Sequence, residues 1–199
     1  IPHNSTIAFV ELGASGGLIL DALKDPNRFA SWMSMNGYRA DFAQKFSSNN
    51  LNPVIGVDLV IPSIDWLKAL VLADKDRGEV VNFINQFERS PVINGDATKL
   101  QFLTPVNDFL NSHRKKIPFI FSTSMFYQIT ASQRETILTA AKIILQDLGG
   151  GYIFISDLGI NRNYPNIENN IAWIENEKGN ILTPKIKIID QNGTKWEQI

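Results

Sequence analysis

A glycine-rich turn directly after a short apolar run is the segment best suited to ligand chemistry. Residues 7–10 read Ile-Ala-Phe-Val, and after Glu11 the chain continues Leu-Gly-Ala-Ser-Gly-Gly to residue 17. Gly13 lets the chain turn sharply off a strand, and the two later glycines leave room for a ligand near the main chain. The apolar run is typical of a buried parallel strand, and residues 18–24 are predicted to form a helix whose first N–H groups suit a carboxylate or a phosphate. This combination begins a nucleotide-binding βαβ unit.

Two better-known nucleotide motifs do not match this turn. Counted from Gly13, Ser15 stands at the second glycine of a G-x-G-x-x-G dinucleotide motif and Leu18 at the third. NAD or FAD binding is therefore disfavoured. No Lys follows the glycines, which excludes ATP hydrolysis of the P-loop type.

Two aspartates follow predicted strands and add acceptor groups to the same place. Asp58 ends the second predicted strand, residues 53–57, and Asp96 follows the third, residues 92–93. The carboxyl ends of parallel strands share one edge of a sheet, where ligands bind, so we expect both carboxylates beside the glycine turn. Each has another interpretation: Asp58 as a helix cap and Asp96 as an Asx-turn residue.

These three features resemble, in this order, the ligand-binding motifs of class I S-adenosylmethionine (SAM)-dependent methyltransferases. The resemblance implies SAM as the cofactor. It implies that the turn lies under the methionine part of SAM, that Asp58 binds the ribose hydroxyls and that Asp96 contacts the adenine amine. The cofactor-binding residues implied are Glu11, Gly13, Ala14, Ser15, Gly17, Asp58, Leu59, Asp96, Ala97 and Ser122.

A longer pattern covers about residues 7–157. It consists of Glu-Leu-Gly-Ala-Ser-Gly-Gly-Leu at 11–18, Gly-Val-Asp-Leu at 56–59, Trp-Leu at 66–67 with Asp-Arg at 76–77, Asn-Gly-Asp-Ala at 94–97 and the segment from Phe121 to Tyr127. This pattern resembles an uncharacterised bacterial family described as methyltransferase-like.

Two features depart from the expected motifs. Asp58 lies well beyond the roughly 20 residues after the turn at which a dinucleotide fold places this acid. The Asp/Asn-Pro-Pro-Tyr motif of amino-group methyltransferases is absent.

The order of predicted elements indicates one α/β domain over residues 1–199. Five parallel strands with crossover helices predict a Rossmann-like three-layer sandwich. Apolar segments after residue 170, separated by turns at Lys178-Gly-Asn180 and Asn192-Gly193, predict a C-terminal antiparallel hairpin that closes the mostly parallel sheet. Residues 26–52 are interpreted as an insertion between the first two strands.

Helix starts are marked by capping residues. Ser63 precedes one helical segment, and Thr130 with Gln133 has the spacing of a capping box before another. Thr104 followed by Pro105 predicts a cap and a first helical residue.

Composition excludes several classes of function. A formal net charge of −1 offers no field that would attract nucleic acid or an anionic membrane. The chain has no Cys and only two His, which excludes disulfides, Cys-ligated zinc and thiol catalysis and disfavours a His-based metal site or a Ser-His-Asp triad. No apolar run approaches the roughly 18 residues of a membrane span. We therefore expect a cytoplasmic protein without a metal.

The function predicted from these observations is SAM-dependent methylation of a small molecule or peptide. Because SAM is already activated, alignment with the acceptor does most of the work, and a weak base such as Tyr127 or Asp157 suffices. Tyr127 could equally be a packing residue and Asp157 a surface acid. Two alternatives stay open: a module that binds SAM or a nucleotide without turnover, and an NAD(P)-dependent reductase.

The start of the chain suggests a missing cover for the cofactor site. Class I methyltransferases usually carry helices before the first strand, and here only residues 1–6 precede it. We expect a fragment of a longer protein, or a chain whose site is covered by the 26–52 insertion or by a second subunit. Trp32, Met33 and Met35 are the candidate covering residues, and without a cover the chain should bind SAM weakly and be inactive alone.

Overall fold

A five-stranded parallel sheet forms the centre of the protein. The computed structural model describes residues 6–25, 27, 51–70, 77–85, 89–122, 125–155, 174–175, 181–182, 186–188 and 196–198. The sheet order is β3-β2-β1-β4-β5, and every neighbouring pair is parallel. This order is that of a Rossmann-like α/β fold, so this part of the prediction is confirmed. The strands are β1 (Ile7–Leu12), β2 (Val54–Asp58), β3 (Val92–Asn94), β4 (Ile117–Ser122) and β5 (Tyr152–Ile155).

Helices follow the first four strands, as the predicted crossovers require. Two single 3-10 turns, Ala97–Lys99 and Phe126–Gln128, come after β3 and β4. The helices are α1 (Leu18–Lys24), α2 (Ile64–Leu70), α3 (Arg77–Asn85), α4 (Leu103–Ser112) and α5 (Ala131–Asp147).

Two of the predicted helix caps are confirmed and one is wrong. The Ser63 hydroxyl accepts from the N–H of Trp66 at 3.1 Å, and Thr130 and Gln133 form both bonds of a capping box before α5. α4 begins at Leu103, so Thr104 and Pro105 lie inside its first turn. The helix starts earlier because Phe102 is fully buried and the N–H of Leu103 already bonds to the carbonyl of Leu100.

β1 is buried on both faces, which explains the unbroken apolar run at residues 7–10; Glu11, the charged residue of this strand, is buried as well. All six of its residues are buried. Ala8, Val10 and Leu12 pack in a core with residues of α4 and α5, whereas Ile7 and Phe9 pack in a second core with Leu20 of α1. A strand covered by helices on both sides has no solvent face, so apolar and polar residues do not alternate.

The C-terminal strands form two antiparallel pairs separate from the central sheet. β6 (Ile174–Glu175) pairs with β7 (Ile181–Leu182), and β8 (Ile186–Ile188) pairs with β9 (Trp196–Gln198). Each pair is a two-stranded sheet. The described residues therefore do not support the prediction that an antiparallel hairpin closes the central sheet, which is parallel throughout.

Asn52 joins the point where the predicted insertion leaves the domain to the point where it returns. Its main-chain N–H donates to the carbonyl of Lys24 at 3.1 Å, and its Nδ2 donates to the carbonyl of Leu23 at 2.9 Å. Its Oδ1 accepts from the N–H of Ile7 at 3.3 Å. Both ends of the insertion thus lie at the amino edge of the sheet. The insertion itself lies outside the described residues apart from Asn27, Leu51 and Asn52.

Within the ranges given above, none of the helices has the length and apolar character needed to cross a bilayer.

Replacing Asn52 with alanine tests its role at this junction. Asn52→Ala leaves the N–H of Ile7 and the carbonyl of Leu23 without their partner in a position that is 4% exposed. We expect the free energy of unfolding, measured by urea denaturation, to fall by about 1–3 kcal/mol. Asn85→Ala, at the exposed end of α3, is the matched control and should change it by less than about 0.5 kcal/mol. Equal losses of unfolding free energy in both variants would contradict the role of Asn52 at the junction.

Candidate functional site

The glycine loop, residues 13–17, takes a left-handed backbone conformation at alternate positions. Gly13 has a φ of 78°, Ser15 of 49° and Gly17 of 77°. Glycine adopts this conformation without steric cost, whereas at Ser15 it has to be held by the surroundings. The loop is fastened to the end of β2, because the N–H groups of Gly13 and Ala14 both donate to the carbonyl of Val57, at 2.8 and 3.2 Å.

Asp58 forms hydrogen bonds with the loops that follow β1, β2 and β3. Its Oδ2 accepts from the N–H of Ser15 at 2.6 Å, and its Oδ1 accepts from the N–H of Val60 at 3.0 Å. Its main-chain carbonyl accepts from the N–H of Gly95, after β3, at 2.9 Å. Asp58 is therefore not a helix cap, since Ser63 caps α2. The structure brings the predicted residues Gly13, Ala14, Ser15 and Asp58 together at the carboxyl edge of the sheet.

Side chains of the protein fill the space beside two of the glycines. A Cβ at Gly13 would lie 2.7 Å from the Cβ of Met125, and one at Gly16 would overlap the side chain of Leu67. Gly16 therefore faces the Leu67 side chain of α2, and the expectation that it leaves room for a ligand is not supported. The contacts of Met125 and Leu67 with these glycines were not predicted, because contacts between distant segments leave no signal in the sequence pattern.

Glu11 and Ser122 lie at the carboxyl ends of β1 and β4 but are enclosed. Glu11 is 2% exposed and Ser122 is 1% exposed. Among the described residues, the Ser122 hydroxyl has no hydrogen-bond partner. A buried polar group usually has one, so this hydroxyl is suited to a polar group supplied by water or a ligand.

Asp96 forms an Asx-type cap on the turn that follows β3. Its Oδ1 accepts from the N–H and the hydroxyl of Thr98, at 2.9 and 2.6 Å, and its Oδ2 lies 3.6 Å from Nζ of Lys99. The Thr98 hydroxyl bond, aided by the Thr98 N–H and Lys99 and opposed by partial desolvation, holds the pKa of Asp96 below its ordinary value of 3.8. This is the alternative interpretation of Asp96. Ala97, next to it, is buried.

Two apolar side chains are exposed directly after Asp58. Leu59 is 63% exposed and Val60 is 67% exposed. The carbonyl of Leu59 accepts from Nδ2 of Asn94, so this turn is fixed to the end of β3. Leu59 was predicted for the site from the resemblance, and Val60 was missed because the sequence alone does not reveal how exposed a residue is.

The described structure does not test the predicted catalytic residues, Tyr127 and Asp157. The main chain of Tyr127 lies in the 3-10 turn after β4, and its side chain and the whole of Asp157 lie outside the described residues. The candidate covering residues Trp32, Met33 and Met35 also lie outside them. All three stay predictions, as do the two candidate bases.

A surface groove of about 650 Å³ lies between α4 and α5, and it contains none of the predicted site residues. The groove is lined by Leu100, Leu103, Thr104, Asn107, Ser132, Glu135, Thr136, Thr139, Ala140, Ile143, Ile144 and Asp147.

In the part of the chain described, His, Asp and Glu side chains do not form groups of three that could hold a metal ion.

The lowered pKa of Asp96 predicts a contribution to acid stability. The ionised carboxylate stabilises the folded state above the unfolded pKa, and this contribution is lost as the pH falls through the lower pKa of the folded state. We therefore expect the free energy of unfolding to fall more steeply below about pH 4 in the wild type than in Asp96→Asn. Urea denaturation between about pH 5 and pH 2 measures it. Asp108→Asn, at an exposed position of α4, should keep the wild-type slope, and an unchanged slope in Asp96→Asn would contradict the prediction.

Comparison with known proteins adds no relative to these observations. The sequence matches no protein-family model, and it matches no curated protein.

Proposed function

We propose that the carboxyl edge of β1, β2 and β3 binds SAM and that the protein is a SAM-dependent methyltransferase. The observation that carries this proposal is the position of Asp58. Its carboxylate lies between a glycine loop, bonded to it through Ser15, and an exposed apolar pair, Leu59 and Val60. This edge is where ligands bind in open α/β sheets.

The hydrogen-bonding groups fit an adenosine. An ionised carboxylate has about four acceptor positions, and Asp58 uses one on each oxygen for main-chain N–H groups. The remaining positions suit the two donor hydroxyls of a ribose. Asp96 likewise offers acceptors for an amine, and the Ser122 hydroxyl can bond to a polar group of a ligand.

Charge supports a cationic ligand rather than a phosphorylated one. Asp58 places a negative charge on the loop after β2, and Asp96 places one on the loop after β3 that Lys99, at 3.6 Å, partly offsets. These carboxylates would repel the phosphates of NAD or ATP and attract the positive sulfonium of SAM. Because they do not converge as metal ligands do, they suit an extended ligand with separate donor groups.

Leu59 and Val60 supply the apolar contact that a planar base requires. Both side chains are exposed beside the ribose acceptor. Covering them with an adenine ring removes apolar surface from water, and this favours binding at about 25 cal/mol per Å² buried.

A bound SAM supplies an activated methyl group, so the protein's own contribution is to bind, orient and exclude water. The loop and Asp58 would hold the nucleoside, and Leu59 would fix the base. The acceptor is proposed to be an oxygen or nitrogen of a small molecule or peptide. Tyr127 and Asp157 are the proposed weak bases that would take its proton.

A ligand panel tests the proposal. We expect SAM and S-adenosylhomocysteine to raise the melting temperature by several degrees, because a ligand that binds only the folded state stabilises it. NAD and ATP should leave the melting temperature unchanged. Stabilisation by NAD alone would favour the reductase alternative. Binding of both sulfur nucleosides without methyl transfer to peptide or small-molecule acceptors would favour the module that binds without turnover.

A pair of leucine variants tests the proposed base contact. Leu59→Ala should weaken S-adenosylhomocysteine binding, measured by calorimetry, about five- to tenfold, since a partly covered leucine side chain contributes on the order of 1 kcal/mol. Leu51→Ala is the matched control, because Leu51 is 61% exposed but lies before β2, at the opposite edge of the sheet. Equal affinities for the two variants would place the ligand elsewhere.

A further inference from the structure

Ser15 has a backbone conformation that its own side chain disfavours. Its φ of 49° lies in the left-handed region, where a residue with a Cβ is uncommon and needs support from its surroundings. The flanking left-handed residues, Gly13 and Gly17, need no such support. Because Ser15 is exposed, packing does not hold it in place.

The support comes from the end of β2. The N–H of Ser15 donates to Oδ2 of Asp58 at 2.6 Å, across 43 positions of sequence. The other carboxylate oxygen accepts from Val60 at 3.0 Å, which fixes the side chain of Asp58. A hydrogen bond to an ionised acceptor is shorter and stronger than one between neutral groups.

We infer that Asp58 is a positioning residue that sets the shape of the glycine loop before any ligand arrives. Only the identity of the ligand rests on the function proposed above. The same carboxylate that would accept the ribose hydroxyls also presents the loop in its binding shape. A ligand therefore meets a loop that is already ordered, and little of its binding energy is used in ordering it.

An amide cannot replace this carboxylate. The two main-chain donors, from Ser15 and Val60, approach different oxygens. Asparagine has one acceptor oxygen, and its Nδ2 is a donor, so one of the two N–H groups would face another donor. Asp58→Asn should therefore keep one bond at most, and Asp58→Ala should lose both.

Amide hydrogen exchange of the full chain without ligand, followed by NMR, tests the inference. In Asp58→Ala we expect the Ser15 and Val60 amides to exchange roughly tenfold faster or more than in the wild type. The Gly13 amide is the internal control, because it bonds to the carbonyl of Val57 and should stay protected. A role in general stability would instead accelerate all three amides together. Asp58→Asn should accelerate one of the Ser15 and Val60 amides and spare the other, and it serves as the second variant if Asp58→Ala does not fold.

The outcomes separate this inference from the proposed function. If Ser15 exchanges equally fast in the wild type and in both variants, Asp58 does not position the loop, whether or not S-adenosylhomocysteine binds. If the Ser15 and Val60 amides respond as expected but the wild type does not bind S-adenosylhomocysteine, the positioning role stands and the proposed cofactor is wrong.

Discussion

The carboxyl end of β2 is the point on which the rest of this edge depends. The Val57 carbonyl takes two N–H groups of the glycine loop, the Asp58 carbonyl takes one from the segment after β3, and the Asp58 carboxylate takes two more. Main-chain donors in a loop need partners as much as those in a strand do. Two residues provide these partners for segments far apart in sequence, and thereby hold the loops around one another on the rigid support of the sheet.

Glycine has two separate roles in this arrangement. Gly17 suits its left-handed backbone conformation, Gly56 suits a close contact, and Gly13 combines the two. A Cβ on Gly56, inside β2, would lie 2.5 Å from the Cβ of Ala14, so the loop packs against the strand at a position where the strand has no side chain. A glycine motif of this kind reports close packing as well as ligand binding, and the sequence alone does not distinguish the two.

The sheet was predictable because its signals are local. Apolar runs, glycine turns and the capping box at Thr130 each involve a few neighbouring residues, and the five parallel strands follow from their order. α4 begins earlier than predicted because its start depends on the burial of Phe102, which is set by tertiary packing. At the site, the positions of Asp58 and the loop at one edge followed from topology. Three other features did not follow from topology, because each depends on how distant segments meet: the Ser15–Asp58 bond, the contact of Met125 with Gly13 and the exposure of Val60.

The junction at Asn52 gives the domain a tolerance for length at one place. Since Lys24 and Asn52 are hydrogen-bonded neighbours, the central sheet sets no distance that the chain between them must span. The entropic cost of closing a loop rises only slowly with the number of residues in it, so segments of different lengths are nearly equivalent there. This junction lies at the amino edge, away from Asp58, and it is therefore a natural graft point at which a different loop, or a whole folded module, could be accepted while the opposite edge stays intact.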